Sequence, residues 1–216
     1  MGGGWGISVA DALQRYRALS GTKPIWVTEN GYKHTGAVAG HPVVTQRAAA
    51  KYLPRQILHH LSLGVPRFYV YQLYTEGSPE NFGILNDDGT PRPAFTALKN
   101  LISLFKDPGP EFQPESLAYR LSTTSGIRHM LFQKRNGRFY LVLWQPVASS
   151  SGGYSDGSAA DVEPAAKAVT ITLPRVFSSV RTYQPSFRAS AVKTRNGVAR
   201  VGVAVPDHLL VVELVP

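Results

Sequence analysis

Two short apolar runs, Ile25-Trp26-Val27 and Phe68-Tyr69-Val70-Tyr71-Gln72-Leu73, set the strongest constraint on this chain, because helical stretches lie before, between and after them. Each run is too short for a helix and is bounded by turn residues (Pro24 and Asn30-Gly31; Gly64 and Pro66). Short apolar and aromatic runs of this kind read as strands. The second is nearly continuous in apolar character, as a strand covered on both faces is. Ser8 caps a helix running to Leu19, with Gly21 ending it. Thr45 caps a second from Gln46 to Leu63, where Pro54 predicts a kink or a late start. Ala94–Phe105 forms a third, with Phe95, Leu98, Leu101, Ile102 and Phe105 along one side. Helix–strand–helix–strand–helix of this spacing indicates βα units with parallel strands.

The pattern changes at Asp107-Pro108-Gly109-Pro110, which reads as a linker. Short strands follow: Leu117–Leu121, His129–Lys134, Arg138–Trp144, Ala168–Leu173, Val180–Tyr183, Ala191–Lys193, Val198–Val203 and His208–Leu214. Asn136-Gly137 and Asn196-Gly197 lie between alternating runs and predict hairpin turns. Ala148–Ala166, rich in Ser, Gly and Ala, predicts a flexible loop. The expected fold is α/β plus all-β, with one domain over 1–107 and an antiparallel β-sandwich over 111–216.

Composition narrows function. There is no cysteine, so disulfides, thiolate metal sites and Cys nucleophiles are excluded. The net charge of +9 raises nucleic acid as a partner. The Lys and Arg residues are scattered, however, and do not interleave with aromatics, so neither nucleic acid nor a membrane is expected as a partner. No run approaches the ~20 apolar residues of a membrane span. Met1-Gly2-Gly3-Gly4-Trp5 lacks the basic and apolar regions of a signal peptide and the Lys-Ser/Thr of a phosphate loop, and reads as loop.

Glu29 stands at the carboxyl end of the first predicted strand, where α/β folds place their chemistry. Asn30 follows it, and a long polar loop with His34 and His41 leads to Val44. Tyr71, Gln72 and Tyr74 stand at the corresponding end of the second strand, where alternation prevents Tyr71 and Gln72 from facing the same way. By the same alternation Trp26 reads as core. His34 and His41 read as solvated loop residues, His59 and His60 as structural, Glu76 and Glu80 as solvated, and Asp87-Asp88 as a turn before Gly89. No metal-ligand spacing is present, and no cofactor is expected.

Three segments carry a family resemblance: Pro24-Ile25-Trp26-Val27-Thr28-Glu29-Asn30-Gly31, Gly64–Tyr74, and Phe82-Gly83-Ile84-Leu85-Asn86-Asp87-Asp88-Gly89-Thr90-Pro91-Arg92-Pro93-Ala94-Phe95. In this order they resemble the seventh strand, the eighth strand and the approach to the last helix of clan A retaining glycoside hydrolases, whose (β/α)8 barrel often carries an appended β-sandwich. The resemblance implies a partial barrel, its last two βα units, with the Ser8 helix matching the sixth helix. It implies Glu29 as nucleophile, Asn30, Tyr71, Gln72 and Tyr74 as substrate-binding residues, and a carbohydrate substrate. A full barrel needs ~250 residues. The general acid/base Glu of the clan follows the fourth strand, and no residue before Glu29 matches it. The expectation is therefore a truncated gene, a fragment or one piece of a split enzyme, inactive alone. Its partner would be the missing N-terminal barrel portion, and the full-length parent would be secreted or cell-surface. The alternative is a non-catalytic carbohydrate-binding or structural β-sandwich module.

Overall fold

The computed structural model describes residues 8–34, 42–75, 81–152 and 158–216. The Gly cluster at 2–4, His41, Glu76 and Glu80 lie outside the described residues. The chain divides into two compact units, one comprising Met1–Phe95 with Val147–Val162 and the other Thr96–Pro146 with Glu163–Pro216.

The first unit opens with helix α1 (Val9–Ser20), where the Ser8 hydroxyl accepts the Asp11 N–H at 3.1 Å. Gly21, at φ 60°, ends it. Strand β1 (Trp26–Asn30) pairs in parallel with β2 (Arg67–Val70), and helix α2 (Gln46–Ser62) connects them. Thr45 caps α2 through the Ala48 N–H at 2.9 Å. The helix starts at Gln46 and continues through Pro54, so the late start does not occur. Its residues 48–55 are buried, including Lys51 and Arg55.

The described residues 148–152 and 158–162 of the segment expected to be a flexible loop belong to this unit and carry paired structure. Strands β6 (Ser150–Gly152) and β7 (Ala159–Asp161) pair antiparallel. The Tyr52 hydroxyl accepts the N–H groups of Ser149 at 2.6 Å and Ser150 at 3.0 Å. Arg55 donates to the Val147 carbonyl at 3.0 Å and the Ser149 hydroxyl at 3.3 Å. Thr45 hydrogen-bonds Asp161. The small residues that suggest flexibility instead allow close approach: a Cβ on Gly152 would lie 2.6 Å from the Val43 carbonyl oxygen.

Helix α3 (Pro93–Phe105) takes the chain into the second unit, with Pro at its first position, where a missing N–H costs nothing. Its last residue, Phe105, meets Phe132 and Tyr140 with ring centres 5.0 and 5.7 Å apart. The strands are β3 (Arg120–Leu121), β4 (Arg128–Gln133), β5 (Phe139–Trp144), β8 (Lys167–Tyr183), β9 (Lys193–Val205) and β10 (Leu210–Val215). They form one antiparallel sheet ordered β3-β8-β10-β5-β4, with β9 also on β8. The strand-rich, antiparallel character is as expected, but the two separate sheets of a sandwich are replaced by one curled sheet. Its inward side chains, among them Leu141, Ile171, Phe177, Val201 and Val212, enclose a single core.

Two predicted breaks in this sheet are absent. Residues 168–183 form one strand rather than two, and 193–205 likewise. Asn196-Gly197 lies inside β9, with Asn196 opposite Ser179. The irregularity falls on β8 instead, where pairing shifts between Thr172 and Phe177 around Pro174. Proline has no N–H for the ladder and is placed in strands where pairing is interrupted. Asn136-Gly137 does form the expected hairpin, with Gly137 at φ 76° and its N–H bonded to the Lys134 carbonyl at 2.9 Å. Arg135 then clamps the linker, ion-pairing with Asp107 at 3.0 Å and donating to the Gly109 carbonyl at 2.6 Å.

Candidate functional site at the carboxyl ends of the parallel strands

The site begins with a departure from strand register. Trp26 and Val27 pair with Arg67 and Phe68, but Asn30 then pairs with Val70, so β1 has one residue more than β2 between these points. Such a bulge re-aims side chains. Along β1, Trp26, Thr28 and Glu29 are exposed while Val27 and Asn30 are half-buried. The bulge thus turns Glu29 onto the exposed side that carries Trp26, where strict alternation would set them on opposite faces. Trp26 is consequently not core: it is 47% exposed, with the Arg67 guanidinium 4.7 Å from its ring centre. On β2, Arg67 and Tyr69 are exposed and Phe68 and Val70 half-buried. Phe68 packs on His60 of α2 at 5.1 Å, and the His60 Nδ1 lies 2.8 Å from the Gln56 carbonyl, the structural role expected of that histidine.

A groove of about 710 Å³ runs along β1, lined by Ala12, Leu13 and Tyr16 of α1, by Trp26 and Glu29, and by His60. Glu29 is exposed within it, and no described residue hydrogen-bonds or ion-pairs with its carboxylate.

Beyond the strand ends the backbone is tightly set. The Tyr71 N–H donates to the Asn30 carbonyl at 2.8 Å. A Cβ on Gly31 would stand 1.6 Å from the Tyr71 carbonyl oxygen, so only glycine fits there. The Tyr71–Gln72 peptide is cis. Tyr71 is exposed, with its ring against Phe82 at 5.6 Å. Gln72 is half-buried and donates its amide to the Thr75 hydroxyl at 2.8 Å. Tyr74 is exposed, and its hydroxyl donates to the Asp87 carbonyl at 3.0 Å. Glu29, Asn30 and Tyr71 are thus neighbours through the β1–β2 pairing, whereas the polar groups of Gln72 and Tyr74 are engaged in holding the loop after β2.

Asp88 forms the turn read from the sequence. It accepts the Thr90 N–H at 2.9 Å and the Thr90 hydroxyl at 2.6 Å, which hold its carboxyl below the usual range. Among the described residues, no group of three or more His, Cys, Asp or Glu is placed to hold a metal.

His34 departs from its reading as a solvated loop residue. It is 7% exposed, and burial, reinforced by the Arg92 guanidinium, pushes its pKa down to about 4, so the ring is neutral at pH 7. Its backbone N–H donates to the Asn81 carbonyl at 2.8 Å, and Lys33 bridges to Val43. The polar composition of the loop conceals this, because Asn81 and Arg92, which interact with His34, come from the segment after β2.

No family model matches this chain. No curated protein matches it either. A solved structure described as a family 39 glycoside hydrolase from the gut symbiont Bacteroides cellulosilyticus WH2 shares its fold, with a TM-score of 0.62 at 13% identity over 97% of this chain and 39% of that one. This chain therefore spans about two fifths of that structure's length. At such identity the likeness concerns the fold, a mixed α/β arrangement with an antiparallel sheet.

Proposed function

We propose that this chain is the carboxyl-terminal part of a clan A retaining glycoside hydrolase, in which Glu29 is the nucleophile. The observation that carries the reading is the β1 bulge, which delivers an exposed carboxylate to the carboxyl end of a parallel strand beside an open groove. The shared fold with a glycoside hydrolase supports it. Residues 1–107 then represent the last two βα units of a (β/α)8 barrel and 111–216 its appended strand-rich domain.

In retaining hydrolysis a carboxylate attacks the anomeric carbon while a second carboxyl group protonates the departing oxygen, and water then cleaves the glycosyl-enzyme ester. Glu29 supplies the attack. Asn30 and Tyr71, joined through their backbones, border it, and Gln72 and Tyr74 act on the sugar indirectly by shaping the adjacent loop. The second carboxylate, about 5–5.5 Å away in such enzymes, comes from the missing barrel portion, the partner of this chain. The substrate is a carbohydrate, and the chain alone does not turn over ordinary glycosides.

The test uses a fluorinated dinitrophenyl glycoside, whose leaving group departs without protonation. Mass spectrometry of the chain, alone and mixed with a polypeptide carrying the other six βα units, should show a glycosyl adduct on Glu29 that Glu29→Gln abolishes. An unchanged adduct in Glu29→Gln removes Glu29 from the nucleophile role. Glycan binding by the full chain with no adduct under either condition favours the carbohydrate-binding module instead.

A further inference from the structure

We infer that the outward face of β3, β8 and β9 binds an acidic polysaccharide, one bearing uronate carboxylates. The Lys and Arg residues that stand scattered along the sequence are unevenly divided in the fold. The strand-rich unit holds 14 Lys and Arg against 6 Asp and Glu, a formal +8, and the other unit 9 against 8, a formal +1. Nearly all of the net charge of +9 therefore belongs to one unit. All residues of this unit are among those described, so its carboxylates are fully accounted for.

Strand pairing sets two of these cations in one row. Arg120 of β3 and Arg200 of β9 both stand opposite Thr172 of β8, one on each edge of it. Ile171 beside Thr172 belongs to the core, so by alternation Thr172 and the two arginines face outward, and all three are exposed. Two strand spacings of ~4.8 Å separate the arginine backbones. The next pair on this face is Thr170 with Gly202, and beyond it Ala168 with Ala204. The floor is thus flat and poor in side chains, with hydroxyls but neither an aromatic ring nor a carboxylate. Neither arginine has an ion-pair partner within the unit: Asp107 pairs with Arg135, and Glu213 with Arg138 and Arg181 at the other end of β8. Two exposed like charges on such a face do not stabilise the sheet, but they create a positive potential that attracts an anion.

The form of the face selects the partner. A guanidinium matches a carboxylate with two parallel hydrogen bonds, and a Thr hydroxyl can donate to or accept from a sugar hydroxyl. Single-stranded nucleic acid stacks its bases on aromatic rings, and none stands here. Duplex nucleic acid is read by an element that enters a groove, which a flat three-stranded surface does not offer. The choice of a glycan among polyanions rests on the hydrolase reading. The surface itself does not, since it lies in the other unit from Glu29.

The experiment is calorimetric titration of the full chain with polygalacturonate oligosaccharides at fixed ionic strength, compared with neutral dextran, dextran sulfate and a single-stranded DNA oligonucleotide. Saturable binding of the polyuronate is expected, weakened about three- to fivefold by Arg120→Gln or Arg200→Gln and about tenfold or more by the two together. Arg120→Lys and Arg200→Lys keep the charge without the fork, and each should lose less than its Gln counterpart. Arg15→Gln, which removes one exposed charge from α1, should leave the Kd unchanged. No binding, equal affinity for the DNA or the sulfated dextran, or an equal loss in Arg15→Gln overturns the surface. A glycosyl adduct on Glu29 without polyuronate binding ends this inference alone. Polyuronate binding without an adduct leaves the surface standing while the hydrolase reading falls.

Discussion

Asn30 and Tyr71 are joined backbone to backbone by a 2.8 Å hydrogen bond, and at the next residue, Gly31, a Cβ would stand 1.6 Å from the Tyr71 carbonyl oxygen. The obstruction is backbone, which cannot rotate aside as a side chain can. Gly31→Ala therefore has to separate the two strand ends. Overpacking of this kind costs about 1–3 kcal/mol. Urea unfolding should register that loss, and the Tyr71 ring should lose its contact with Phe82, visible in aromatic NMR. A variant of wild-type stability with the Tyr71–Phe82 contact intact would show that the approach is looser than described.

In the second unit the buried carboxylate of Glu213 gathers four donors. Its Oε1 accepts the Tyr140 hydroxyl at 3.0 Å and Arg138 Nη1 at 2.9 Å, and its Oε2 accepts the Tyr183 hydroxyl at 2.7 Å with Arg181 at 3.6 Å. Burial alone would raise its pKa, but the hydrogen bonds from Tyr183, Tyr140 and Arg138 outweigh it and hold the group below its ordinary 4.5. A carboxylate depressed in the folded state stabilises fully above its unfolded pKa, and that contribution fades as pH falls through the folded value. The Glu213 contribution is thus present above its ordinary 4.5 and fades progressively as pH falls from there through the lower folded value. Glu213→Ala leaves the buried Tyr140 hydroxyl without its acceptor and should cost about 1–3 kcal/mol at pH 7. Melting curves across the acid range should converge for wild type and variant as the pH drops; parallel curves would show that Glu213 does not titrate with folding.

The local signals that specify a helix or strand were legible in the residues themselves. Ser8, Thr45 and Gly21 mark helix ends because capping is a matter of adjacent groups, and β1 and β2 are recognisable by short apolar runs between turns. What the residues do not announce is register and long-range contact. The extra residue at Thr28-Glu29 is defined only against β2, so Trp26 reads as core when alternation is assumed. Asn196-Gly197 has the local chemistry of a hairpin, yet the pairing of β9 with β8 on both sides of the Thr172–Phe177 irregularity overrides it. The His34 backbone is held by Asn81 and its ring is influenced by Arg92, and residues 147–150 are held by Tyr52 and Arg55, more than ninety positions away in sequence. Glu29 is identifiable as a candidate by its place at a strand end, whereas the burial of His34 has no signal short of the fold.

The Tyr52 hydroxyl is a single acceptor for two backbone donors, Ser149 and Ser150. Tyr52→Phe keeps the ring and its 5.2 Å packing on Tyr32 while removing that acceptor. Two N–H groups then lose their partner, at a cost of about 1–3 kcal/mol each when buried. The effect should be local. Amide exchange at Ser149 and Ser150 should accelerate by about tenfold or more, while the amides of β5 and β10 in the other unit keep their protection. Uniform acceleration across both units would mean that this hairpin is part of the global folding core.

The groove along β1 makes a prediction about association. Leu19 is 86% exposed, and Tyr16 and Trp26 are exposed beside it. Among the described residues β1 pairs with β2 alone, which leaves its other edge open. Parallel strands are normally covered on both faces, and an open edge beside apolar side chains invites pairing with another chain. Sedimentation velocity of the chain should show concentration-dependent association. Leu19→Lys, which places a charge at the groove without removing a packed side chain, should shift the distribution toward monomer and leave stability within about 0.5 kcal/mol of wild type. If Leu19 were part of the folded core, its replacement would lower the melting temperature instead; a chain that is monomeric at every concentration would show that the β1 edge is already protected.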